Sequence, residues 1–370
     1  MLRFGNSKVP DSHRLSFWGF RMALLVCLML SAGGFLLSRS TATGNAKANA
    51  GQEKEATFDA EFQKGIQSLR RQRFEEALKS FKRANEMRDK KSPECYLAMA
   101  QAYIGLEEHK NVIESCDKAF ELGGNDPQVL VPAYNLKGLA LQALAEGKNQ
   151  KKLQEAEAVF RQGLAIGTDV VPMVHYNLGI VLMQQDRDPE GIAEMQKFLE
   201  LQPKGLNSEA ARKMIENPRR AREPYAPDFS FTTSEGEFVK LEDLRGKVVV
   251  LDFWGTWCHP CVASVPAMRE LNKKYSKDPA FVLIGIDTRD DEETLRAFTA
   301  ENKMVWRQYR DTENQVSKLF SIRAFPTYVV IDPEGILRYR GIGASSRQGA
   351  ALDDAIKKQL KLLAKPPDAN

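Results

Sequence analysis

Two rhythms of apolar positions run along this chain. From about Ala56 to Asn217, small and hydrophobic residues recur at helical spacing. Gly65, Ala77, Phe81 and Ala84 are followed in register by Ala100, Val112, Cys116 and Ala119, and later by Gly179, Gly191, Met195 and Phe198, each set with internal intervals of 12, 4 and 3 residues. A fourth set, Gly138, Ala156, Phe160 and Gly163, has a first interval six residues longer, which the polar stretch Glu146 to Gln150 accounts for. The sets start 35, 38 and 41 residues apart, near the 34-residue period at which paired antiparallel helices stack into a solenoid. Small residues let two helices approach, and the larger ones fill the space behind them.

The second rhythm begins at Phe229. Two short strands flank a turn at Ser234 to Glu237, and the apolar run Val248 to Trp254 reads as a buried strand. A helix is expected from the cysteine pair behind that strand to about Tyr275, then a strand over Phe281 to Asp287, helices over Glu292 to Glu301 and near Val316 to Phe320, and a strand over Thr327 to Ile331. A hairpin through Asp332-Pro333-Glu334-Gly335 and a last helix from about Arg347 to Leu363 complete the pattern. Strands alternating with helices imply an α/β layer structure, with antiparallel strands added late. Between the two regions, Pro218, Pro224 and Pro227 with Arg219, Arg220 and Arg222 mark a linker.

A length of 370 residues allows two or three domains, and 43% hydrophobic against 28% charged residues is a globular balance. The net charge of +4 is small, and no basic stripe or reading module for nucleic acid accompanies it. The N-terminus adds a compartment: Arg3, Lys8, Arg14 and Arg21 precede the uncharged run Met22 to Leu37, and a small-residue polar stretch, Ser38 to Gly51, follows. This reads as an export segment, either a cleaved signal peptide or a retained anchor with the bulk of the protein outside the cytoplasm. Cys27 is expected as an apolar passenger in that run.

Trp257-Cys258-His259-Pro260-Cys261 carries the chemistry. C-x-x-C directly behind a buried strand puts two thiols at a strand-to-helix corner, where a dithiol can do redox work. No cofactor is expected. His109 and His175 are single imidazoles without cysteines or carboxylates at metal spacing, so no metal site is expected either. Cys95 and Cys116 fall in the two helices of one repeat but about a turn out of register, which favours buried thiols over a disulfide.

The helical region resembles a tetratricopeptide (TPR) array of about four repeats, with Tyr96, Tyr103, Tyr134, Tyr176 and Pro203 adding to the pattern. Such arrays hold a protein or peptide partner in a concave groove. Val250 to Cys261, together with Ile322-Arg323-Ala324-Phe325-Pro326-Thr327, resembles the thioredoxin active site and cis-proline loop. The extra helix between the two motifs and the hairpin ahead of the first strand are similar to the TlpA/ResA branch of that superfamily, exported and often membrane-tethered thiol-disulfide oxidoreductases. The expected fold class is therefore multidomain, a TPR-type α-solenoid followed by a thioredoxin-like α/β domain with an N-terminal β-hairpin. Its divisions are 1–50 (cytoplasmic stub, signal peptide or membrane anchor, and linker), 56–217 (repeats), 218–226 (linker) and 226–365 (thioredoxin-like).

The resemblance implies roles. Cys258, at a helix N-terminus where unpaired N–H groups favour an anion, would be the nucleophile, and Cys261 would resolve the mixed disulfide and close a Cys258–Cys261 disulfide. Asp252 would assist proton transfer at Cys261, the plain alternative being an outward-facing residue at the strand end. His259 would tune the thiolate or serve only as a solvent-facing spacer. Pro326 would be cis, and Trp257, Phe325 and Thr327 would meet clients, whereas Trp254 has both a core and a collar reading. The chain departs from many TlpA/ResA-like proteins, which carry Asn at the position of Asp252 and an acid at that of Ser264; the reversed arrangement favours a thioredoxin-like proton relay.

The expected function is an extracytoplasmic reductase of protein disulfides, re-reduced by a thiol-disulfide electron donor in the membrane, with the repeats holding a partner. A peroxiredoxin-like thiol peroxidase is a weaker alternative, because Gly255-Thr256-Trp257 lacks the expected lead-in to a lone reactive cysteine. A scaffold with a vestigial redox domain is the third reading.

Overall fold

The computed structural model describes residues 46–167 and 172–364. The export segment, with Cys27, lies outside them. Among the described residues no helix is long and apolar enough to cross a membrane. The described chain divides into two compact units between Arg222 and Glu223.

The first unit is helical: α1 (Ala46–Arg70), α2 (Phe74–Met87), α3 (Pro93–Gly105), α4 (His109–Leu122), α5 (Pro127–Ala145), α6 (Gln150–Ile166), α7 (Met173–Gln184), α8 (Asp188–Leu201) and α9 (Leu206–Glu216). Each successive pair from α1/α2 to α7/α8 carries one of the four residue sets, so the region is consistent with repeats. The reason for the spacing is direct at α5/α6. Phe160 is fully buried, and a Cβ at Gly138 would collide with its ring. Gly65 and Phe81 repeat the arrangement in α1/α2. Ser92, Asp126 and Asn149 cap the starts of α3, α5 and α6 by accepting backbone N–H groups of Cys95, Gln128 and Lys152, which offsets the unpaired donors of a first turn. Helix α1 starts ten residues before the expected repeat boundary, inside the polar stretch that ends at Gly51. Cys95 and Cys116 are free and buried.

Within the segment expected as linker, Pro218–Ala221 form a 3-10 turn. The Ala221 carbonyl accepts from Gln184 Nε2 at 3.1 Å, and Arg222 pairs with Asp188. This turn belongs to the helical unit.

The second unit opens with β1 (Ser230–Thr232) and β2 (Phe238–Lys240), paired antiparallel. It continues through β3 (Val248–Trp254), α10 (His259–Tyr275), β4 (Phe281–Asp287), α11 (Glu292–Glu301), β5 (Arg307–Arg310), α12 (Gln315–Leu319), β6 (Thr327–Ile331), β7 (Leu337–Ile342) and α13 (Ser346–Leu363). The larger sheet has the order β5-β4-β3-β6-β7, with β3, β4 and β5 parallel and β6 and β7 antiparallel additions. Strand β5 has no counterpart in the sequence reading: its four residues, Arg-Gln-Tyr-Arg, are polar, and only Gln308 among them is buried.

Central strand β3 is buried on both faces, and its two-residue period sorts the core. Val248, Val250 and Trp254 pack with Val265, Met268, Leu352 and Ile356 from α10 and α13. Val249, Leu251 and Phe253 pack on the opposite face with Phe229, Phe231 and Phe320. Asp252 therefore lies on the face covered by α10, the helix that starts with the cysteines.

Candidate active site

Strand β3 delivers the chain to Gly255, and α10 begins four residues later. Cys258 is the N-cap of α10, its Sγ accepting the Cys261 backbone N–H at 3.3 Å. Pro260 sits in the first turn, where its missing N–H costs nothing. Cys258 and Cys261 are joined in a disulfide. Cys261 is the more enclosed, at 1% exposure against 6% for Cys258. A sulfur at this corner is close to unpaired backbone donors and to the positive end of the helix dipole, an environment that favours a thiolate once the pair is reduced. His259 is exposed beside it.

Asp252 is buried at 3% exposure, and its Oδ1 has no hydrogen-bond partner. The outward-facing alternative is thus replaced by a carboxyl group inside the core. Burial alone lifts it to about 7, because a charge there loses its hydration with no compensating partner. Directly across the β3–β6 ladder stands Tyr328, also buried. Burial, then the neighbouring Asp252, pushes its hydroxyl up, and a hydrogen bond with Ser264 works the other way. Ser264 donates to the Cys261 carbonyl at 2.7 Å. A cavity of about 510 Å³ between α10 and the start of α13 is lined by Ser264 and Tyr328 together with Met268, Leu271, Ser345 and Leu352.

The Phe325–Pro326 peptide is cis. Phe325 meets Trp257 edge to face, with ring centroids 5.2 Å apart. Trp257 is 42% exposed, whereas Trp254 is buried with its indole N–H donating to Gln308 Oε1 at 3.2 Å. Trp254 is thus a core residue and Trp257 a rim residue. Thr327 is fully buried, and its hydroxyl donates to the Ala324 carbonyl at 2.7 Å. From that position its hydroxyl braces the loop that carries Pro326.

A second clamp has no counterpart in the sequence reading. The segment Thr288-Arg289-Asp290, just past β4, holds the loop that leads into Cys258. Asp290 accepts both the Thr256 backbone N–H and the Thr256 hydroxyl at 2.7 Å. Trp257 Nε1 donates to the Thr288 carbonyl at 2.6 Å, and Thr288 N donates to the Trp254 carbonyl at 3.1 Å. Arg289 adopts φ +83°, a region that costs a residue with a Cβ roughly 1–2 kcal/mol, and its guanidinium lies 4.3 Å over the Trp257 ring. Asp287, at the end of β4, is fully buried; burial, then the Asp290 carboxylate, raises it to about 8. The run Asp287 to Asp291 was the only signal in the sequence, and a string of acids reads more simply as solvated surface. Among the described residues, no group of three His, Cys, Asp or Glu side chains has the placement to hold a metal ion.

Residues 224–340 match the model of the AhpC/TSA family. The chain is 32% identical over 124 residues to the thioredoxin-like protein YneN of Bacillus subtilis, a span of 33% of this chain and 72% of that protein. It is 33% identical over 123 residues to the thiol-disulfide oxidoreductase ResA of Bacillus cereus, 33% of this chain and 70% of that protein. Among solved structures, a putative thiol:disulfide interchange protein DsbE from Chlorobium tepidum aligns with a TM-score of 0.35 and 30% identity over 37% of this chain and 95% of that one.

Proposed function

The chain belongs to the ResA-type thiol-disulfide oxidoreductases, and from that premise we propose that it reduces protein disulfides outside the cytoplasm through Cys258 and Cys261. The observation that carries this reading is the dithiol at the N-terminus of α10 lying on the sheet face that buries the lone carboxyl group of Asp252.

The reduced protein starts the cycle. The Cys258 thiolate attacks one sulfur of a client disulfide; the client S–S bond breaks, a Cys258–client bond forms, and the departing client thiolate takes a proton. Cys261 then gives its proton to the Asp252 carboxylate and attacks the Cys258 sulfur. The mixed disulfide breaks, the second client thiol leaves, and the Cys258–Cys261 disulfide remains, two electrons having passed to the client. A thiol donor, in this reading one in the membrane, reverses the last state. A carboxyl group held near pH 7 can accept and return that proton at neutral pH, which an ordinary exposed Asp cannot do.

His259 tunes the Cys258 thiolate, Trp257 and Phe325 supply the apolar rim that a client segment meets, and Pro326 shapes the loop opposite the dithiol. The repeats over 56–217 act as a TPR-type platform for a protein or peptide partner, and the basic and apolar N-terminal segment directs export or tethers the chain. The trap that tests the reading is Cys261→Ser in the full chain. Client proteins should remain covalently attached to Cys258 and be released by dithiothreitol; an empty trap under oxidising and reducing conditions alike would overturn it. Insulin reduction without peroxide turnover separates this activity from a thiol peroxidase.

A further inference from the structure

Around the disulfide, the nearby anions are already committed. Asp290 is engaged by Thr256 through two hydrogen bonds, Asp291 accepts the Thr294 N–H at the start of α11, and Asp287 is fully buried. The cations are not. Arg289 is exposed, and among the described residues no carboxylate pairs with it. Its guanidinium nonetheless lies over the Trp257 ring at 4.3 Å, and Trp257 is itself fixed by its bond to the Thr288 carbonyl and by the Phe325 ring. Stacking uses the face of the guanidinium and leaves its N–H edge free for a carboxylate, which it fits with two parallel hydrogen bonds. Arg323, exposed in the loop that carries Phe325, is a second cation with no carboxylate partner among the described residues.

We propose that the Arg289–Trp257 stack is a specificity element that selects client segments carrying Asp or Glu next to the disulfide cysteine. In this arrangement the indole and Phe325 take the apolar part of an extended client, and the guanidinium edge takes the carboxylate beside it. The left-handed backbone at Arg289 and the bonds of Thr288 and Asp290 serve to place that edge next to Cys258. The client is recognised before any bond is exchanged, so the effect belongs to encounter and positioning and not to the thiol chemistry.

The proposal rests on the disulfide-exchange reading, and single-turnover kinetics of the reduced full-length protein separate the two. Two short peptide disulfides are compared, identical except for Glu or its isostere Gln beside the cysteine, with the reaction followed by tryptophan fluorescence. The expected second-order rate for the Glu peptide exceeds that for the Gln peptide by about fivefold, and the ratio falls towards one as salt screens the pair. Arg289→Ala should bring the ratio to about one at low salt, and Arg289→Glu should invert it. A wild-type ratio below about twofold, or one that survives Arg289→Ala, overturns the proposal while leaving the exchange reading intact. If neither peptide is reduced, both fall.

Discussion

Replacing Asp252 with Asn removes one titration from the core, and the cost of that titration follows from its shift. In the folded oxidised protein Asp252 is raised from 3.8 to about 7 by burial. Below about pH 3 the unfolded and folded chains both hold the proton, so Asp252 adds no penalty. As pH rises towards 7 the unfolded chain loses the proton and the folded chain keeps it, so stability falls by about 1.4 kcal/mol per pH unit. The loss levels off above pH 7 at about 4 kcal/mol, an upper bound for a core that relaxes around the charge. Asn keeps a buried amide at every pH, which offsets the two proteins by a constant and leaves the slope as the test. The measurement is urea unfolding of oxidised wild type and Asp252→Asn at half-unit steps from pH 4 to 8, followed by tryptophan fluorescence. Three of the four tryptophans, Trp254, Trp257 and Trp306, belong to the redox unit, so the signal reports mainly that unit. Asp287, raised to about 8, tilts both curves alike and cancels in the difference. The variant should gain on wild type steadily between pH 4 and 7. A difference that stays flat over that range would refute the desolvated carboxyl group, and with it the basis for a proton relay. In the reduced protein the same variant should release client from the mixed disulfide about tenfold to a hundredfold more slowly near pH 7, as seen by quenching and mass measurement of the Cys258-linked species.

Two further outcomes are expected. Phe160→Ala should cost the helical unit about 3–5 kcal/mol, since the ring is fully buried against Gly138 and leaves a cavity; loss of far-ultraviolet helical signal at lower urea checks it, and an unmoved midpoint would show that the repeat core tolerates the void. After reduction at pH 7, an alkylating reagent should modify Cys258 first and spare Cys95 and Cys116, because both are fully buried and burial raises Cys95 to about 11 and Cys116 further; peptide mapping that finds Cys95 or Cys116 labelled at the rate of Cys258 in native buffer would contradict that burial.

What the sequence disclosed and what it hid divide along physical lines. Repeats are legible because one steric requirement, a small residue under a large one, recurs: Gly138 under Phe160 repeats Gly65 under Phe81. The dithiol is legible because C-x-x-C behind a β-branched run is a local pattern. Strand β5 was hidden because a short edge strand needs only one neighbour to pair with, here β4, and no apolar run, and Arg307 to Arg310 offers none. The clamp of Thr288, Arg289 and Asp290 was hidden for a different reason. Its partners, Thr256 and Trp257, lie about thirty residues away in sequence and meet it only because β3 and β4 run parallel and end together. The burial of Thr327 was likewise not legible, because a motif position carries no direction and the strand period turns that side chain inward.

The same period explains why the exchange of acid and neutral residues between positions 252 and 264 is a coherent arrangement. Position 252 and position 328 face each other across the ladder on the α10 side, and Tyr328 lines the cavity beside α10 together with Ser264, one helical turn beyond Cys261. The three side chains are all buried on the α10 side of the sheet, and Ser264 and Tyr328 line the cavity beside α10. A carboxylate at both 252 and 264 would set two like charges in a site with almost no solvent, and one would stay protonated at neutral pH. Here the single acid stands on β3, 3% exposed, and position 264 on α10 carries a hydroxyl. Ser264 bonds the Cys261 carbonyl and so ties the first turns of α10 together behind the sulfur.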